Sequence, residues 1–237
     1  ERLVAIKWLK ETDPSEQKHI IHEIKSVANL GQKGIVTFYH HFKKDKNIYL
    51  VMEYCENGSL SDKIIRPLMP GVVLPWFEIL CETLHFIHLN KIVHHDIKPD
   101  NILFSGNNEV KISDFGVANK IAGTQPYIAP ELLIYSRSDA TDPRVDVFAL
   151  GVTLMESLTA QNPFAGKSPM EKIEIVKDRK IRTNNLPEWL QNIIYRSIDP
   201  TPELRFQSAL EMAEAIKSQF APAILDTKLI QSGKLAA

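Results

Sequence analysis

Residues 93–101 read Val93-His94-His95-Asp96-Ile97-Lys98-Pro99-Asp100-Asn101, and a little further on comes Asp114-Phe115-Gly116. The first stretch holds more acidic, basic and amide groups than a connecting loop needs. Between the two, Ile102 to Phe104 and Val110 to Ser113 have the apolar content of short strands. They are joined by Ser105-Gly106-Asn107-Asn108, whose residues favour a turn. A polar loop followed by a small hairpin therefore makes oxygen donors available together. Asn101 and Asp114 offer hard oxygens of the kind Mg²⁺ takes, an ion that keeps several waters and accepts phosphate oxygens as its remaining ligands. Asp96 is then left to receive a proton. Lys98 brings a positive charge that would stabilise a phosphoryl group in transfer, a reaction governed mainly by positioning and charge stabilisation.

On the N-terminal side the pattern is strand, helix, strand, strand. Leu3 to Trp8 reads as a short strand. Asp13-Pro14-Ser15-Glu16 is a capping box, with an acceptor for the free N–H groups, proline at the first helical position and a glutamate that reaches back. The helix it starts runs to about Leu30. Ile35 to Phe42 and Asn47 to Tyr54 read as a hairpin around the solvated tip Lys43-Lys44-Asp45-Lys46. On the predicted helix Ile20, Glu23, Ile24 and Val27 share a face, which puts a carboxylate on the buried stripe and calls for a cation. Lys7 is the candidate; in the blander alternative Glu23 lies just off the stripe in water. After Glu56-Asn57-Gly58 helical patterns dominate, at about Pro75 to Asn90, Val145 to Leu158, Leu186 to Ser197 and Gln207 to Gln219. Strands first and helices after them predict an α+β fold, with a small lobe over residues 1–54, a larger helical lobe over 55–220, and a tail or linker over 221–237.

Composition removes other classes. The 237 residues are 44% hydrophobic, enough for a sizeable core, and a net charge of −1 gives no footprint for a nucleic-acid backbone or an anionic membrane. Cys55 and Cys81 belong to no spaced cluster, so a disulfide framework and a zinc site are not expected. The longest apolar run, Val147 to Met155, is short for a bilayer span and reads as a buried helix. The expectation is a soluble protein of the cytoplasm or nucleus. His85 and His88, three apart on a helix, hint at a metal site. No cysteine or acidic ligand supports them, and histidines of an amphipathic helix are the simpler reading.

In order and at these spacings, the chain resembles the eukaryotic-type protein kinases over almost its whole length. Val4-Ala5-Ile6-Lys7 is similar to the family's strand with its ATP-binding lysine, and Glu23 to the helix glutamate. His94-His95-Asp96 with Asn101 resembles the catalytic loop, and Asp114-Phe115-Gly116 with Ala129-Pro130-Glu131 the two ends of the activation segment. The resemblance implies a bilobal fold and transfer of the γ-phosphoryl group of ATP to a protein hydroxyl. Asp96 would take the hydroxyl proton, Lys98 neutralise the γ-phosphate, Asn101 and Asp114 hold two Mg²⁺ or Mn²⁺ ions, and Lys7 held by Glu23 fix the α and β phosphates. It further implies Met52 as gatekeeper, the backbone of Glu53 and Cys55 at the adenine, and Ala5 and Leu103 above and below it. Asp146 would brace the catalytic loop, and Arg205 would pair with Glu131. Lys98 in Asp-Ile-Lys-Pro and Thr124 in Gly-Thr-Gln-Pro-Tyr resemble the Ser/Thr branch.

The chain departs from the family in three places. The Gly-rich loop encoded just before the lysine strand is absent from a chain starting at Glu1. No hydroxyl stands between Gly116 and Thr124, a short interval that residues omitted near Lys120 to Ala122 would explain. His95 replaces the arginine with which many members grip a phosphorylated activation segment, and a mostly neutral imidazole is a poor phosphate clamp. The rival readings are a pseudokinase, a scaffold with no chemical need for all six of Lys7, Glu23, Asp96, Lys98, Asn101 and Asp114, and a small-molecule kinase of similar fold.

Overall fold

The computed structural model describes residues 2–9, 21, 25–27, 31–45, 47–115, 125–134, 141–183 and 185–219. Three antiparallel strands form the small sheet: β1 (Val4–Leu9), β2 (Phe38–Lys44) and β3 (Asn47–Glu53), in the order β1-β3-β2. Alternation along β1 sends Ala5, Lys7 and Leu9 to the more covered face and leaves Val4, Ile6 and Trp8 exposed. Leu9, Ile48 and Leu50 form a small core with Phe38 and Met52. The pairing sets Lys7 opposite Leu50 and Ala5 opposite Met52. Outside, Tyr49 stacks on both Trp8 and Phe42.

The expected strand from Ile35 is displaced. Pairing in β2 starts at Phe38 and continues to Lys44, with Asp45 taking the turn at φ 56°. Ile35 instead bridges Ile112 of the second lobe in parallel, and hydrogen bonds Val36 N–H to Ile112 O (3.0 Å) and Ile112 N–H to Gly34 O (2.8 Å) secure the crossing. Gly34 permits it: its φ is 89°, and a Cβ there would come within 2.2 Å of the Thr83 hydroxyl.

The larger lobe contains α1 (Leu60–Lys63), α2 (Pro70–Leu89), the hairpin β4 (Ile102–Phe104) and β5 (Val110–Ile112), then α3 (Pro130–Ile134), α4 (Arg144–Thr159), α5 (Pro169–Lys177) and α6 (Glu188–Ser197). A last helix, α7, covers 209–219. Helix α2 starts five residues before the expected Pro75, because Pro70 itself occupies the first helical position, where the missing N–H costs nothing. By length and composition α2 would also suffice to cross a membrane, yet it gives Val73, Leu74, Phe77, Leu80, Leu84 and Ile87 to the core. Helix α4 is buried along nearly its whole length, which accounts for its apolar run. At Gly151 an added Cβ would lie 2.4 Å from that of Ser197, so α4 and α6 touch almost backbone to backbone. Three short helices, α1, α3 and α5, escaped the sequence reading, although Ser59 with Asp62 and Ser168 with Glu171 are capping boxes for the first and last of them. The capping box at Asp13 and the tail over 221–237 lie outside the described residues.

Candidate active site

The loop that opened the sequence reading hangs from one buried carboxylate. Asp146, near the start of α4 and without solvent exposure, accepts hydrogen bonds from the His94 amide (2.8 Å, Oδ2) and the His95 amide (2.9 Å, Oδ1). Its Oδ2 also meets His88 Nε2 from α2 at 2.8 Å. Burial pushes this carboxyl up, but the His88 bond and the surrounding donors outweigh it and bring the pKa down to about 2. Two amides aimed at one carboxylate bend the chain, and His95 sits in the left-handed region at φ 65°. A side chain tolerates that only where its surroundings impose it.

His94 fixes the next link. Its Nε2 lies 2.8 Å from the Ser113 carbonyl, which can only accept, so Nε2 carries the proton and Nδ1 accepts the Asp96 amide at 3.2 Å. Burial lowers the pKa of this ring, in keeping with a neutral imidazole. Its edge meets the Phe115 ring at 4.5 Å between centroids. Ser113 also donates its amide and hydroxyl to the Asn101 carbonyl, at 2.9 and 3.1 Å. One imidazole and one serine thus tie residues 94–101 to 113–115.

On this frame stand the chemical groups. Asp96 Oδ2 accepts from Lys98 Nζ at 2.8 Å and from Asn101 Nδ2 at 2.8 Å, and the same amide bonds the Asp96 carbonyl at 2.7 Å. With Nδ2 so committed, Asn101 offers its Oδ1 to a ligand. Asp114, at φ 66°, meets Lys7 Nζ at 2.8 Å across the gap between the lobes. Lys7, Leu50, Met52, Asp114 and Phe115 line part of one pocket. One carboxylate and one amide oxygen fit a small hard cation that brings water and phosphate oxygens with it, and would not cage an ion alone. Among the described residues no cluster of three or more His, Cys, Asp or Glu is placed to hold a metal, and His88 is engaged with Asp146.

The connection between the lobes follows β3. Glu53 Oε1 and Oε2 receive Lys111 Nζ at 2.7 and 2.9 Å, while Thr37 donates its amide and hydroxyl to Oε2. Burial pushes the Glu53 carboxyl up, and these donors more than reverse it. Cys55 is buried with its thiol pushed up to about 11 by burial, which makes it unreactive. Leu103 lies in β4, bridged to Ser59. Ala5 and Met52 face one another across β1 and β3. Glu23, Gly116 and Thr124 lie outside the described residues.

Beyond the loop, Arg205 is fully buried and grips Glu131 with two bonds of 2.6 and 2.7 Å, its guanidinium also reaching the carbonyls of Asp199, Arg144 and Pro200. Tyr127 donates to Glu156 at 2.6 Å. The sequence reading missed Lys111, Ser113 and the role of His88. Lys111 and His88 each act 58 residues away from their partners. Ser113 is different, for its place next to Asp114 at the end of an expected strand was a local signal.

A small antiparallel sheet over a helical lobe, with an aspartate, lysine and asparagine gathered on one loop and a second lysine–aspartate pair between the lobes, defines a two-lobed protein of the phosphotransferase class. The chain belongs to the protein kinase domain family, whose model matches residues 1–221. It is 33% identical to the serine/threonine-protein kinase PknB of Mycobacterium leprae, covering 89% of this chain and 38% of that protein. It is also 31% identical to the serine/threonine-protein kinase PrkC of Bacillus subtilis, over 93% and 37%, and 32% identical to the serine/threonine-protein kinase cds1 of Schizosaccharomyces pombe, over 79% and 45%. The chain therefore spans less than half the length of these relatives.

Proposed function

We propose that this chain is the catalytic part of a protein serine/threonine kinase that uses ATP with Mg²⁺, or Mn²⁺ in its place. The observation that carries the reading is the Asp96 carboxylate held between Lys98 and Asn101 on a loop braced by Asp146. Asp96 orients the substrate hydroxyl and takes its proton, and the ammonium and amide beside it fix the carboxylate in place. Lys98 neutralises charge on the transferring phosphoryl group. Asn101 Oδ1 and the Asp114 carboxylate would hold the cation, which supplies charge neutralisation for the phosphates when bound. Lys7 leaves Asp114 for the α and β phosphates as nucleotide enters, an exchange open to it because both side chains keep over a quarter of their exposure, 28% and 29%. The serine/threonine assignment is supported by Lys98 and by the likeness to three serine/threonine-protein kinases. The two free, buried thiols support a reducing, cytoplasmic setting.

The test is transfer of radiolabelled γ-phosphate from ATP with Mg²⁺ to a generic basic protein, by the full-length protein and its Asp114→Asn variant, followed by phosphoamino-acid analysis. Label on serine or threonine that is lost in the variant is the expected result. ATP binding without transfer from the unaltered protein would replace this reading with a pseudokinase scaffold. His95 adds a regulatory expectation, because an imidazole lacks the bidentate fork that holds a phosphate. Phosphatase treatment should leave activity within about tenfold of its starting value.

A further inference from the structure

Lys172 is the one lysine of the described residues that is almost wholly buried, at 1% exposure. It lies in α5, outside the loop and hairpin that carry the chemistry above. No carboxylate among the described residues stands within 4 Å of it. Its Nζ instead donates to the backbone carbonyls of Gln125 (2.5 Å) and Ile128 (2.9 Å), with the Pro126 carbonyl at 3.4 Å. The ring of Phe164, stacked on Phe148, lies 5.8 Å from the ammonium. Burial holds its pKa down to about 8, so the ammonium still predominates at pH 7.

An isolated buried charge is costly, and a hydrophobic side chain of similar volume is often neutral or stabilising in such a place. What the ammonium does here is gather carbonyls. Residues 125–127 form one short 3₁₀ turn, whose carbonyls have no partner further along a helix. Lys172 caps that turn from the side. The same segment is held at Tyr127 by Glu156 and, four residues on, at Glu131 by Arg205. Of these three ties only Lys172 acts on the backbone of the turn itself.

We infer that Lys172 is a positioning residue for the protein substrate, setting the backbone of residues 125–128 against which a peptide lies while leaving nucleotide chemistry untouched. The inference rests on the kinase reading, since the segment leads into Ala129-Pro130-Glu131 and follows the site that would transfer phosphate. Its effect belongs in the substrate's KM and not in the handling of ATP.

The experiment compares the full-length protein with Lys172→Met and Lys172→Arg, measuring KM for a generic basic protein, KM for ATP, and the slow hydrolysis of ATP by water without protein substrate. Lys172→Met should raise KM for the protein about tenfold or more while both ATP measurements stay within about twofold. Lys172→Arg, which keeps a charged donor, should return to within about threefold of the unaltered protein. Unchanged protein KM in Lys172→Met overturns the inference. So does a parallel loss in all three measurements, or a variant whose circular dichroism shows it unfolded, because either makes the contact a matter of folding. Absence of transfer by the unaltered protein is a separate result, visible before any variant is compared, and it removes the kinase reading and this inference with it.

Discussion

Of the ion pairs that join a basic side chain to a carboxylate far away in sequence, Arg205–Glu131 and Lys7–Asp114 are built in opposite ways. Arg205 and Glu131 have 0% and 7% side-chain exposure, meet through two parallel hydrogen bonds, and spend the remaining guanidinium donors on carbonyls. Lys7 and Asp114 meet through one contact, each over a quarter exposed, at the mouth of a pocket. The first pair has every donor answered by protein and no vacancy for a ligand. The second leaves ammonium and carboxylate with bonds that other partners can take up. Burial with full satisfaction marks a permanent joint, and partial exposure marks groups that exchange partners.

The comparison is broken if the exposed groups carry stability or the buried pair carries chemistry. Asp96→Asn should have the largest effect. It removes the proton acceptor while keeping a side chain of the same shape beside Lys98 and Asn101, so kcat should fall about 10³- to 10⁴-fold. ATP affinity and the urea midpoint should stay put. A variant that turns over at the normal rate would take Asp96 out of the mechanism. Next in size, Glu131→Gln leaves the Arg205 charge buried without a counter-charge, and should cost about 3–5 kcal/mol of stability in urea unfolding. At a temperature where it is still folded, it should keep the ATP affinity of the unaltered protein. A change below about 1 kcal/mol would place this pair with the exchangeable ones.

Lys7→Met sharpens the other side. It should lower kcat/KM for ATP by about a hundredfold, equivalent to ~2.7 kcal/mol, because the phosphates lose their fixed cation. Stability should move by no more than about 1 kcal/mol, since a partly exposed pair contributes little. Calorimetric binding of ATP and a urea curve on the same preparation give both numbers. Large destabilisation with intact nucleotide affinity would make Lys7 a structural residue.

The same contrast explains what could be read from the sequence. Asp96, Lys98, Asn101 and Asp114 stood out because a surface loop has no structural need for so many charges, and the turn at Ser105 showed that a hairpin lay between them. The α+β division was equally open to reading, since strands and helices follow in separate blocks. Other features are set by contacts between distant segments. Nothing near Glu53 announces Lys111, and Ile35 was drawn into a strand by its own β-branched neighbours, whereas its partner proved to be Ile112. Lys7 was assigned to Glu23, which lies outside the described residues, and its contact with Asp114 depends on how two lobes face each other, which no local pattern carries. Lys172 was invisible for another reason. A lysine on an amphipathic helix is ordinarily in water, and only the packing of α5 against residues 125–128 buries it.

The smallest of the expected effects concerns pH, and it separates two buried groups that hold the same loop. The Asp146 carboxyl is lowered to about 2 in the folded protein, from an ordinary value near 3.8. A depressed carboxyl stabilises the fold at pH values above its unfolded pKa, and the contribution, about 2 kcal/mol, is lost as pH falls from about 4 towards 2. His94 acts earlier and with the same sign. Its ring is buried and neutral in the folded chain, so below the ordinary histidine pKa of 6.5 the unfolded chain takes up a proton that the folded one refuses. Stability should therefore begin to fall as pH drops below about 6.5, well before Asp146 contributes. His41 is also lowered, by partial burial first and then by Lys25, Lys43 and His40, so its share has to be removed. Urea midpoints between pH 7.5 and 4.5 for the unaltered protein, His94→Gln and His41→Gln do this. The dependence should flatten most in His94→Gln. If His41→Gln flattens it and His94→Gln does not, the loop's hold on its histidine is insensitive to protons, and Asp146 alone links the site to acid.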